Sequence, residues 1–126
     1  MRKILSAEPD RLMAFAALNG ALAVLLGAFA AHGAEPAART LLATGGHYQL
    51  IHATLALAIS LWGPVARRIR WAGWLAATGG MVFSLALASL ALAGIRAAGA
   101  IAPIGGILMI AGWLLLLVAA FRSSRP

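Results

Sequence analysis

Four long runs without a charged residue dominate this chain: residues 12–31, 49–63, 71–93 and 101–121. Together they contain a single histidine, His52. Roughly 20 apolar residues span the ~30 Å hydrocarbon core of a bilayer. The second run is the shortest and must begin near His47 to cross, or stay untilted in thin lipid. A chain of 126 residues that is 63% hydrophobic cannot hide four such runs in a soluble core, because a small domain has too much surface for its volume. The solvent of this protein is therefore lipid. Inside lipid the backbone must satisfy its own hydrogen bonds, so each run is a helix.

The expected architecture is an all-α integral membrane protein, with four transmembrane helices in an antiparallel bundle. The segments lie near 11–32, 47–63, 71–94 and 101–121, within one membrane domain of residues 1–126. A short interfacial helix is expected over 36–44, opened by Pro36 and closed at Thr44-Gly45-Gly46, which also cap the second span. Pro103 falls in the first turn of the fourth helix so bounded.

The formal net charge of +7 does not mark a nucleic-acid binder, because the basic residues gather at segment ends rather than along a helix face. Arg2, Lys3 and Arg11 precede the first segment, Arg67, Arg68 and Arg70 separate the second from the third, and Arg122 and Arg125 follow the fourth. Only Arg39 and Arg96 lie on the opposite side. By the positive-inside rule both termini are cytoplasmic, in a multi-pass protein of the bacterial inner membrane. Trp62, Trp71 and Trp74 flank the central arginine cluster, as expected of an interfacial aromatic belt. The first segment resembles a secretory signal, but its length and the acidic Glu8 and Asp10 before it favour a retained helix.

Close packing in lipid relies on small residues. Gly80, Ser84 and Ala88 form a stripe on the third helix, Gly20 and Gly27 share a face of the first, and Gly105, Gly106 and Gly112 serve the fourth. The same surfaces suit either packing within the bundle or a homo-oligomer.

No Asp, Glu, Lys or Arg lies within a span, which argues against a proton-coupled antiporter built on a membrane carboxylate. There is no cysteine, so thiolate chemistry is excluded. Serines without a base and spans without paired carboxylates give no catalytic constellation, and no cofactor is expected. The polar candidates are Asn19, Ser60, Ser84, Ser89 and the histidines His32, His47 and His52. Asn19 reads as an interhelical hydrogen bonder worth about 1 kcal/mol. At 100° per residue Tyr48, Gln49 and His52 share one arc, whereas His47 is about 140° from His52. With the second helix starting near His47, these groups lie close to the external interface. There His32 and His52, with Tyr48, could ligate a metal or hold the head group of a quinone or lipid. The structural alternative is that His52 bonds a backbone carbonyl, Tyr48 anchors at head-group level and His32 merely ends its helix.

Several motifs occur in order: Gly27-Ala28-Phe29-Ala30-Ala31-His32-Gly33, then Tyr48-Gln49-Leu50-Ile51-His52, Phe83-Ser84, Pro103-Ile104-Gly105-Gly106 and Gly112-Trp113. With them the chain resembles the domain-of-unknown-function 423 proteins, also called uncharacterised protein family 0382, over residues 12–121. The resemblance implies a small multi-helix inner-membrane protein and brings no activity with it. It matches His32, Tyr48, Gln49 and His52 to family positions and leaves His47 at a variable one. Leu85, Ala86 and Ala88 depart from the Gly, Ser and Tyr of the pattern, and Ala102 from its Thr.

Three function classes follow. The first is a non-enzymatic accessory or interaction protein, whose partners are the bilayer and a second copy or other inner-membrane proteins. The second is a binding protein using His32, Tyr48, Gln49 and His52, and the third a small oligomeric channel or transporter.

Overall fold

In the computed structural model, which describes residues 9–123, all regular structure is helical: α1 Arg11–His32, α2 Pro36–Leu61, α3 Arg67–Ala93 and α4 Arg96–Ser123. Several boundaries have a local cause. Asp10 opens α1, its carboxylate accepting from the backbone N–H groups of Leu12 and Met13 at 3.0 and 3.1 Å, as an N-cap does. Pro36 starts α2, where its missing N–H is no loss. Gly94 ends α3 in the left-handed region at φ +65°, and α4 begins two residues later. Only glycine enters that region at little cost.

Three helices, α1, α3 and α4, are long and apolar enough to cross a membrane. Over its 26 residues α2 is also about 39 Å long, but Arg39, Thr44 and His47 make its first half more polar, with Gln49 just beyond. That polar helix lies between α1 and α3. In turn α3 packs chiefly against α2 and α4 and touches α1 over a much smaller area.

The interior is built of small side chains. Leu12, Ala16, Ala56, Ile59, Ala72 and Ala77 form one buried cluster, and Ala30, Ala34, Ala38 and Leu42 another. A third joins Ala86 and Leu87 to Ala102. Large apolar groups lie outside instead: Leu18, Val24 and Leu25 on α1, and Ile104, Ile107, Ile110 and Leu117 on α4, are all more than half exposed. Lipid tails solvate leucine as well as a protein core does, so helix association gains most from close backbone approach.

That approach explains where the boundaries depart from expectation. Residues 36–44 are not a separate interfacial helix; they are the first turns of α2, which runs unbroken through Thr44-Gly45-Gly46. A Cβ on Gly45 would lie 3.1 Å from Ser84 Cα of α3, and one on Gly46 would lie 3.1 Å from the Ala23 carbonyl oxygen of α1. The glycine pair is a two-sided packing point, not a helix break. Likewise α3 starts at Arg67 and includes the arginine cluster, and α4 starts at Arg96. Pro103 is thus inside α4, where it cannot donate to the Gly99 carbonyl.

Of the glycines expected to mark close packing, Gly80, Gly105 and Gly112 do so. A Cβ on Gly80 would lie 3.2 Å from Gln49 Cα, and one on Gly112 would lie 3.0 Å from the Ala72 oxygen. Ser84 is buried against Gly45, and Ala88 packs beside the Ala30–Leu42 cluster. At Gly20, Gly27 and Gly106 a Cβ would meet open space. Gly79 is not among the expected glycines, yet its Cβ would lie 2.7 Å from both the Gly105 oxygen and the Met109 nitrogen, nearly as tight as the 2.6 Å between a Cβ on Gly105 and the Phe83 nitrogen.

Candidate functional site

A polar seam crosses the bundle at mid-height. Because α2 begins at Pro36, Gln49 and His52 lie thirteen and sixteen residues into it, about 20 and 24 Å along the axis. The expected position near an external interface is therefore replaced by one deep in the helix. Unexpectedly continuous α2 is the reason.

Gln49, 1% exposed, donates through Nε2 to Asn19 Oδ1 of α1 at 3.0 Å and lies 3.6 Å from the Met81 sulfur of α3. Asn19, itself wholly buried, donates from Nδ2 to the Phe15 carbonyl at 3.0 Å. Gln49 Oε1 is buried and has no hydrogen-bond partner among the described residues.

His52 is 5% exposed and both its ring nitrogens are engaged. The Trp113 indole Nε1 of α4 donates to His52 Nε2 at 3.0 Å. Indole N–H is a donor only, so Nε2 must accept. The proton then sits on Nδ1, which donates to the Tyr48 carbonyl at 2.7 Å. This network selects a neutral imidazole in one tautomer. Rings continue the seam: Tyr48 stacks over His52 at a centroid distance of 6.5 Å and meets Phe83 of α3 edge-on at 5.4 Å. Ser60 and Ser84 turn their hydroxyls back onto the carbonyls of Leu57 and Met81.

Gln49, His52 and Tyr48 thus come together, while His32 stays apart. His32 is exposed at the end of α1, next to the cluster of Ala30, Ala34 and Ala38. Ala38 is fourteen residues from His52 along α2, about 21 Å. A shared His32/His52 ligand set has no geometric basis here. His47 is exposed and meets Tyr48 edge-on at 6.0 Å. Among the described residues no group of three or more His, Cys, Asp or Glu side chains is placed to hold a metal ion. Two members of the seam escaped the sequence reading, Trp113 and Met81. A buried histidine needing a donor, and an indole on another helix able to supply one, were the available signal for Trp113.

The chain matches the family model described as "Protein of unknown function (DUF423)" over residues 26–106, which includes Tyr48, Gln49 and His52. It is 43% identical to a UPF0382 membrane protein of Staphylococcus saprophyticus over 111 residues, covering 84% of this chain and 92% of that one. A UPF0382 membrane protein of Staphylococcus epidermidis is 41% identical over 84% of this chain and 91% of its own length, and one of Staphylococcus aureus is 38% identical over the same shares. No solved structure matches the chain. With the model spanning nearly two-thirds of its residues and relatives near 40% identity along most of its length, the chain belongs to the DUF423 family of UPF0382 membrane proteins.

Proposed function

We propose that this protein is a non-enzymatic accessory or interaction protein of the bacterial inner membrane, in which all four helices cross as an antiparallel bundle with both termini cytoplasmic. The observation that carries the reading is the saturation of His52. The most chemically versatile side chain in the bundle uses one nitrogen on Tyr48 and the other on Trp113. Its role on this reading is to hold α2 against α4, as Gln49 holds α2 against α1. A metal, quinone or head-group site made of His32, Tyr48 and His52 has less support, because His32 lies far from the other two. The orientation draws support from the eight-to-two distribution of basic residues.

Two measurements test this. Untagged protein in mild detergent should carry no stoichiometric metal, and His52→Ala should lower thermal stability. Near-stoichiometric metal that disappears in His52→Ala would overturn the reading. For orientation, the natural absence of cysteine provides a clean background. Glu35→Cys and Ile95→Cys should react with an impermeant maleimide from outside the cell, and Ala66→Cys only after permeabilisation. The opposite pattern sinks the proposed topology.

A further inference from the structure

A groove of about 600 Å³ runs along α3 beside α4. Arg67 and Arg70 stand at one end of it. Below them Trp71, Trp74 and Leu75 of α3 and Leu108 of α4 form apolar walls, with Thr78 furthest from the arginines. Phe15 of α1 backs Trp74, the two rings stacked at 5.5 Å. From Arg67 to Thr78 the groove follows α3 for eleven residues, about 16 Å, close to half of a ~30 Å hydrocarbon core. Its length is that of one leaflet.

The charged end is electrostatically incomplete. Arg67, Arg68 and Arg70 crowd the first turn of α3, the positive end of the helix dipole, where cations are disfavoured. That turn has no acidic residue, and its N-cap, Ala66, supplies no side-chain hydrogen bond. Asp10 of α1 pairs with Arg70 at 2.8 Å. Among the described residues no acidic side chain lines the groove, and Arg67 is exposed with no ion pair. An anion placed here meets guanidinium donors and uncapped backbone N–H groups together.

We infer that this groove is a binding site for one anionic phospholipid. The phosphodiester is held by Arg67 and the open edge of Arg70, and one acyl chain lies against Trp74, Leu75 and Leu108. The continuous apolar walls distinguish a lipid from a free phosphate, which would use only the arginine end. Basic pockets beside membrane helices select anionic head groups in this way.

Native mass spectrometry of the full chain in nonionic detergent tests this, with phosphatidylglycerol and phosphatidylcholine of identical acyl chains as probes. Each arginine near a membrane surface favours an anionic lipid about five-fold. One phosphatidylglycerol should therefore be retained at least five-fold over phosphatidylcholine. Arg67→Gln should reduce that preference about five-fold, whereas Arg122→Gln, outside the groove, should not. Leu108→Trp fills the apolar part without changing charge and should also lower retention, which keeps the inference testable if Arg67→Gln folds poorly. Equal retention of the two lipids, or equal effects of Arg67→Gln and Arg122→Gln, would overturn it. So would complete displacement of phosphatidylglycerol by millimolar inorganic phosphate, which would mark an anion site alone.

Discussion

The contact between α3 and α4 makes two neighbouring glycines behave oppositely when each gains one methyl group. A Cβ at Gly105 would stand 2.6 Å from the Phe83 nitrogen, 2.7 Å from the Gly79 oxygen and 2.9 Å from the Phe83 Cα. All three are backbone atoms, so no rotamer change relieves the overlap. Ordinary contact begins near 3.4 Å, and the helices must separate locally by about 0.8 Å. A radial gap of ~0.5–1 Å forfeits a quarter to a half of each dispersion contact it opens. Overpacking of this kind costs about 1–3 kcal/mol. At Gly106 the same methyl meets nothing within 4 Å. There Gly106→Ala should be neutral or stabilising by roughly 0.5–1 kcal/mol, through lower backbone entropy in the unfolded helix.

The propensity gain is common to both sites and cancels, so the two variants should differ by the overpacking cost, about 1–3 kcal/mol. Titration of sodium dodecyl sulfate into mild-detergent micelles, with tryptophan emission as the readout, measures the difference. Gly105→Ala should unfold at a lower mole fraction than the parent, and Gly106→Ala at the same or a higher one. Indistinguishable midpoints for the two variants would refute the assigned α3–α4 contact, because helix propensity alone treats the two sites alike.

Trp113→Phe removes the donor to His52 Nε2 and should cost about 1 kcal/mol, within the range of interhelical hydrogen bonds in membranes. Nitrogen-15 NMR of the parent should show His52 as the neutral Nδ1–H tautomer; an Nε2–H form would contradict the proposed network. Leucine at Asn19 and at Gln49, singly and together, should give a coupling energy of about 0.6 kcal/mol in a double-mutant cycle, and full additivity would deny their bond. Asp10→Asn keeps an N-cap acceptor but loses the charge paired with Arg70, so it should destabilise less than Asp10→Ala, which also loses a cap worth about 1 kcal/mol. Equal thermal shifts for those two variants would remove the cap from the account.

What the sequence could reveal depended on whether the signal was local. Helix identity is local: uncharged runs and their arginine flanks carry it, and the helical order of the chain was readable from them. Asn19 was also legible, since an amide in an apolar helix needs a partner wherever it points. By contrast, Gly45-Gly46 looks like a terminator in one dimension and becomes a packing point only when Ser84 and Ala23 arrive from other helices. That one ambiguity propagated. With α2 begun at His47, His52 stood near an interface and within reach of His32; with α2 begun at Pro36, it moved into the bundle and met Trp113 instead. The same limit applies to the small residues. A glycine stripe names a face that can pack closely, but Gly79 and Gly27 look alike in the sequence. Only the neighbouring backbone separates a glycine wedged against α4 from one whose Cβ would face open space.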